Sequence, residues 1–258
     1  MTTPILLLGA GRMGGALVKG WLEAGAYPAD ALMIRDPYPS TDASRAGMIN
    51  PADEVLANAR TVVLAVKPQV WREAAEAVAG FLAPEAVVVS ICAGVRSADI
   101  AGIFRRKVAR VMPTTAVAIR QGTASVFAED GEARKRAHQL FAPLGTVVDL
   151  ADEGLMHAAT AVSGSGPAYL YAFVEALEAA GSSAGLSAKA AKLLARSTVT
   201  GAAALLADSG AEPSELRTQV TSPGGTTQAA LEVLMAELPD LLARAVAAAA
   251  KRSEELGG

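Results

Sequence analysis

"ILLLGAGRMGGAL", residues 5–17, decides how the rest of the chain is read. Four consecutive aliphatic side chains, Ile5 to Leu8, lack the alternation of a half-exposed strand and suit one buried on both faces of a parallel sheet. Gly9, Gly11 and Gly14 then form G-x-G-x-x-G, and a helix-length segment, 12–25, follows and closes at Gly25. In that setting the triplet predicts a dinucleotide site. The first glycine permits the tight turn, the second lets a pyrophosphate approach the backbone, and the third lets helix pack on strand. Gly9, Ala10, Gly11, Arg12, Met13 and Gly14 are the residues expected at the phosphates, where the helix N-terminus favours negative charge.

Outward from this unit the same rhythm recurs. Short apolar runs at 31–34, 61–66, 86–91 and 108–112 alternate in part with helix-length segments such as 69–82, which ends ahead of Pro84. That order predicts right-handed crossovers and a doubly wound, mostly parallel sheet. From about 155 the texture changes. Segment 167–181 puts Leu170, Phe173, Val174 and Leu177 on one helical face; 187–210 starts at a Ser187 cap and ends at Gly210. A last helix is expected from Pro239 to the paired glycines 257–258. The chain is therefore read as an α/β Rossmann domain over 1–154 followed by an all-α domain over 155–258. The alanine runs at 202–204 and 247–250 bury little area each, so a dimer is expected to supply the missing burial.

Composition narrows the partners. With 52% hydrophobic residues and a net charge of −3 the chain has ample core and no basic bias, which argues against nucleic acid. The opening "MTTPILLLGAG" carries no basic leader and no run of about 18 apolar residues occurs, so no membrane partner is expected. Cys92 has no intrachain partner for a disulfide, which favours a reducing, cytoplasmic compartment. His138 and His157 lack metal-ligand spacing, and no metal is expected.

An acid after the second strand takes a ribose 2′-hydroxyl, and a base there takes a 2′-phosphate. This chain offers both, in "IRDP". Arg35 can reach a phosphate if Asp36 turns outward, and the reading leans to NADPH through Arg35, with NADH as the other possibility. "AVKPQ" and "SICAG" follow buried strands, so Ala65, Val66, Lys67 and Pro68, and Cys92, Ala93 and Gly94, should border the coenzyme. Cys92 is expected to pack as a small side chain rather than act as a nucleophile.

Two further stretches are too polar for ordinary packing. "VTSPGGTT", 220–227, sets Gly224 and Gly225 among the hydroxyls of Ser222, Thr226 and Thr227 just before a helix, which suits a carboxylate-binding cradle. "SGSGP", 163–167, brings Ser163, Gly164 and Ser165 to a helix start or to a break within a long helix.

Taken together, "GAGRMGGAL", "AVKPQ", "SICAG", "RVMPTTAVAIRQG", "SGSGPAY" and "VTSPGGTTQAAL" resemble pyrroline-5-carboxylate reductases along essentially the whole chain. The resemblance implies a Rossmann domain followed by a helical dimerisation domain. It also implies a homodimer or a higher oligomer of dimers, and NAD(P)H-dependent reduction of the cyclic imine 1-pyrroline-5-carboxylate to L-proline. It further implies that Thr160 faces the imine as the catalytic candidate, and that each pocket takes its coenzyme from one chain and its SPGGTT loop from the other. Thr114 and Ala116 depart from the family's asparagine and proline. A β-hydroxyacid dehydrogenase or other imine reductase, with Lys189 or Lys192 as acid, and a non-catalytic dinucleotide sensor are the alternatives.

Overall fold

The computed structural model describes residues 4–256, so the glycine pair 257–258 lies outside the described residues. Strand β1 (Ile5–Leu8) leads into helix α1 (Arg12–Glu23), and β2 (Leu32–Arg35) and the short β3 (Met48–Ile49) continue to one side. The chain then returns to β4 (Thr61–Leu64), α2 (Trp71–Ala79), β5 (Val87–Ser90), α3 (Ser97–Phe104) and β6 (Val108–Pro113). The sheet is completed by β7 (Gly122–Phe127), α4 (Gly131–Phe141) and β8 (Gly145–Asp149). The strand order is 3-2-1-4-5-6-7-8, every pair parallel except β6 with β7. Strands diverge from β1 in opposite directions, which makes the β1–β4 boundary the switch point.

Why the strands carry unbroken aliphatic runs is visible in their two faces. Ile5, Leu7, Val63, Val87 and Val89 pack with Leu17, Val18 and Trp21 of α1 and Leu140 and Phe141 of α4. Leu6, Leu8, Val62, Leu64 and Val88 pack with Trp71 and Val78 of α2 and Ile100 and Phe104 of α3. Successive side chains point to opposite faces, so each face needs its own apolar set. The indole nitrogen carried into the first layer is satisfied: buried Trp21 Nε1 donates to the Leu140 carbonyl at 2.8 Å.

The chain divides into two compact units, 1–164 with 249–258, and 165–248. The sequence reading put its boundary at 154/155. The first unit runs on to 164 because α5 (Leu155–Ala159) and the π-helical turn Thr160–Gly164 after it stay against the sheet, the turn packing on β6. In the second unit α6 (Gly166–Ser183) packs along α7 (Ala188–Ser209), with Gly181 facing Ala191. The short α8 (Pro213–Gln219) and α9 (Thr226–Glu255) follow. Ser187 caps α7 by accepting from Ala190 N, and Gly210 ends it in the left-handed region at φ +62°. One expectation is corrected: no helix starts at Pro239, which lies inside the continuous α9. A mid-helix proline removes one amide donor and costs about 3 kcal/mol, and the strong helix formers on either side, including Ala247–Ala250, carry the helix through.

Among the described residues of the second unit only Ala191 and Ala195 are buried, while Leu193, Leu194, Leu205, Leu206, Val233 and Leu234 stand exposed. Helices so poor in buried area do not stabilise themselves as a single copy.

One ion pair ties α5 to the sheet. Arg110 of β6, only 4% exposed, donates to Glu153 at 2.8 Å, and Glu153 also accepts from the amide and hydroxyl of Ser97 at the start of α3. Burial pushes the Glu153 carboxyl up, but the bonds from Arg110 and Ser97 outweigh it and hold the group below the ordinary glutamate range. A depressed carboxylate stabilises the fold fully above its unfolded value, about 4.3, and progressively less as pH falls toward the lower folded one. Glu153 is part-exposed but Arg110 is buried, so Glu153→Ala strands the guanidinium and should lower unfolding free energy by about 1.5–3 kcal/mol at pH 7. Urea unfolding against pH should show the deficit shrinking below pH ~4; an equal deficit at all pH values would remove the charge from the explanation.

Candidate active site

The glycine loop at the carboxyl end of β1 is shaped by close approach. Gly9 sits at φ +89°, and a Cβ there would come within 2.8 Å of the Ala65 backbone at the end of β4. A Cβ on Gly14 would strike the Gly9 carbonyl, so α1 crosses the loop at a distance only glycine allows. Gly11 is different: the space a Cβ would enter is open. Helix α1 begins at Arg12 with no side-chain cap on Gly11 and no acid in its first turn, leaving its leading amides for an external anion. Ala10, Arg12 and Met13 lie in this same loop and first turn, and the arrangement fits a dinucleotide pyrophosphate.

Beside it, the end of β2 is fixed in one conformation. Asp36 turns inward: Oδ2 accepts from Ala10 N at 2.6 Å and Oδ1 from Tyr38 N at 2.7 Å. Asn50, at φ +48°, accepts from Asp36 N and donates to the Asp36 carbonyl. Arg35 is committed elsewhere, its guanidinium paired with Asp53. The outward-turned aspartate that would free Arg35 for a phosphate is not the arrangement present.

Ala65, Val66, Lys67 and Pro68 follow β4, and Cys92, Ala93 and Gly94 follow β5, so both loops stand at the carboxyl ends of strands next to the switch point. They are joined by Cys92, whose thiol donates to the Val66 carbonyl at 3.2 Å. Burial pushes that thiol up to about 11, so it stays protonated and packs as a weak donor. Lys67 and Ala93 are exposed, and Gly94 takes φ +77°.

Thr160 opens the π turn and Gly164 closes it. A π turn carries one extra residue per turn and widens the helix. Thr160 Oγ1 donates to the Met156 carbonyl at 2.7 Å and Ser163 Oγ to the Ala159 carbonyl at 2.8 Å. Each hydroxyl has spent its proton on the backbone and retains oxygen lone pairs. Gly164 lies against the Thr160 methyl and Met112 of β6. Ser163 and Gly164 lie in the π turn, and Ser165 is the N-cap residue of α6, with no side-chain cap bond of its own. Thr114, in place of the family's asparagine, closes the turn between β6 and β7 by exchanging bonds with Thr123, its N–H donating at 2.9 Å and its hydroxyl accepting at 3.0 Å.

In the second unit, Ser222 to Gly225 form the turn into α9. Gly224, at φ +72°, donates its amide to Gln228 Oε1 at 2.7 Å, and the Gly225 amide donates to the Ser222 carbonyl at 3.0 Å. The leading amides of α9 at Thr226 and Thr227, with their hydroxyls, stand at the helix's positive end. The glycines therefore shape the turn, and the donors open to a ligand begin two residues later. Gln228 left no signal in the sequence beyond its place in the motif. Asp36 was marked by its place after the second strand, and Glu153 could have been found as an acid just ahead of a helix start.

Other titratable side chains have structural work. His138 meets Asp149, His157 Nδ1 meets Ser253 Oγ at 3.1 Å, and Glu212 caps α8 in a reciprocal box with Glu215. Lys189 and Lys192 are exposed in the first turns of α7. Among the described residues no group of three or more His, Cys, Asp or Glu side chains is placed to hold a metal, and no helix is long and apolar enough to cross a membrane.

Two family models match the chain: NADP oxidoreductase coenzyme F420-dependent over residues 4–94, and pyrroline-5-carboxylate reductase dimerisation over 153–256. The pyrroline-5-carboxylate reductase of Pseudomonas aeruginosa is 39% identical over 99% of this chain and 98% of its own, and that of Pisum sativum 36% identical over 96% and 94%. Among solved structures, a pyrroline-5-carboxylate reductase from Coxiella burnetii superposes with a TM-score of 0.91 at 30% identity, covering all of both chains. The Plasmodium falciparum enzyme, solved with NADP bound, gives 0.85 at 26% identity over 100% of this chain and 99% of its own. With relatives this similar across nearly their whole length, the chain belongs to the pyrroline-5-carboxylate reductase family.

Proposed function

We propose that this protein reduces 1-pyrroline-5-carboxylate to L-proline with NAD(P)H, as a homodimer. The observation that carries the reading is the pairing, in one chain, of an uncapped α1 N-terminus behind the glycine loop with the hydroxyl-rich N-terminus of α9. The first suits a pyrophosphate and the second a small carboxylate. The dehydrogenase and sensor alternatives are not favoured: Lys189 and Lys192 face solvent in the chain, and a sensor has no need of the second anion site. The dimerisation model over 153–256 and the bare apolar faces of the second unit support the homodimer. A reducing compartment, the cytoplasm, suits the lone, protonated Cys92.

Bound NAD(P)H supplies the hydride that reduces the C=N carbon. The chain's own task is to hold and orient. Ser222, the amides and hydroxyls of Thr226 and Thr227, and the turn made by Gly224 and Gly225 hold the substrate carboxylate. Gln228 leaves the Gly224 amide when an anion takes its place. Ser163, Gly164 and Ser165, in and just after the π turn, contact the ring of the substrate. Because the Thr160 proton is given to Met156, the oxygen is left as an acceptor, which orients the N–H of a protonated imine instead of protonating it. A protonated imine is already electrophilic, so positioning supplies most of the rate.

Addition of pyrroline-5-carboxylate to protein and NAD(P)H should consume the nicotinamide absorbance at 340 nm as proline forms; coenzyme binding without turnover would leave the sensor. Hydrogen bonds to charged groups are worth about 1.5–3 kcal/mol, so Thr160→Val should lower kcat/KM roughly 10–100-fold, with Thr160→Ser restoring most of it and coenzyme affinity unchanged. Full turnover by Thr160→Val would remove Thr160 from the chemistry.

A further inference from the structure

We infer that Asp36 makes this chain discriminate against the 2′-phosphate, so that within NAD(P)H use the unphosphorylated coenzyme is the better ligand. The inference rests on the coenzyme site and is independent of the imine substrate.

Asp36 directly follows β2, the strand beside β1, where an acid meets the adenosine ribose of a bound dinucleotide. Its carboxylate is held against the glycine loop by Ala10 N and by Tyr38 N, and Asn50 clamps the backbone on both sides. A carboxylate has about four lone-pair sites, and two are used here. The remaining two suit hydroxyl donors, which a ribose 2′-hydroxyl supplies. A 2′-phosphate has no such donor when ionised and sets like charge beside a carboxylate that cannot swing away, because turning it out would strand the Ala10 amide.

The cation next to it does not offset this. Arg35 pairs with Asp53, and its Nε is buried without a hydrogen-bond partner, so its charge is already matched by another acid. Arg12 is exposed at the start of α1, but Asp42 lines the same cleft, together with Gly11, Gly15 and Ser40. The cleft beside the glycine loop therefore pairs its one cation with a further acid.

The test uses the whole protein and two fragments that carry no hydride, ADP-ribose and 2′-phospho-ADP-ribose, titrated by calorimetry. The wild type should bind ADP-ribose at least about tenfold more tightly, since like charges in close contact cost more than the 1.4 kcal/mol of one decade. Asp36→Asn keeps an oxygen for Ala10 and should shrink the ratio toward one; Asp36→Ser should do the same. Arg35→Ala should leave the ratio unchanged. Equal or tighter binding of the phosphorylated fragment by the wild type would overturn the inference, as would selective loss of that fragment in Arg35→Ala. Failure of both fragments to bind would overturn the coenzyme site beneath it, whatever the fate of imine reduction.

Discussion

The close passage of α1 over the end of β1 is the constraint on which the site depends. Any side chain at position 14 would collide with the Gly9 carbonyl, and any at position 9 would press on the end of β4. Glycine at both lets the helix start low enough that its unpaired amides face the crevice at the switch point. Two independent apolar layers hold that geometry, one under α1 and α4 and one under α2 and α3, and Gly9 and Ala10 are buried while Gly11 opens to solvent.

Polar bonds then set details that the packing leaves open. Asp36 locks the second strand's end to the glycine loop, Cys92 ties the loop after β5 to the one after β4, and Glu153 clamps the start of α3 to β6 and the entry of α5. Each bond joins a segment that borders the coenzyme crevice or leads to Thr160. The π turn at 160–164 departs from regular helix geometry, and it coincides with the candidate catalytic residue, as such widened turns often do.

Much of this was legible from residue order alone. The aliphatic runs of β1, β4 and β5 are buried on both faces and announced themselves by lacking alternation. Ser187 and Gly210 marked both ends of α7 through cap chemistry. What was not legible has physical causes. β7 and β8 mix Gly, Thr and Asp with valine and sit toward the sheet's edge, so no aliphatic run marks them. Pro239 looked like a helix start because proline favours first turns, yet its neighbours' propensity prevailed. Arg35 and Asp36 are adjacent, and only side-chain direction, which sequence does not carry, separates their roles.

The second unit buries almost nothing by itself, and under the proposed function its α9 N-terminus would add substrate binding to the unit's part in assembly. The account stands on two helix N-termini each holding one anion. A crystal structure of the complex with oxidised coenzyme and L-proline tests this most directly. It should show the pyrophosphate on the leading amides of α1 over Gly11, and the proline carboxylate on the amides of Thr226 and Thr227 with Gln228 displaced from Gly224. Proline held elsewhere, with Gln228 still seated on that amide, would contradict the account.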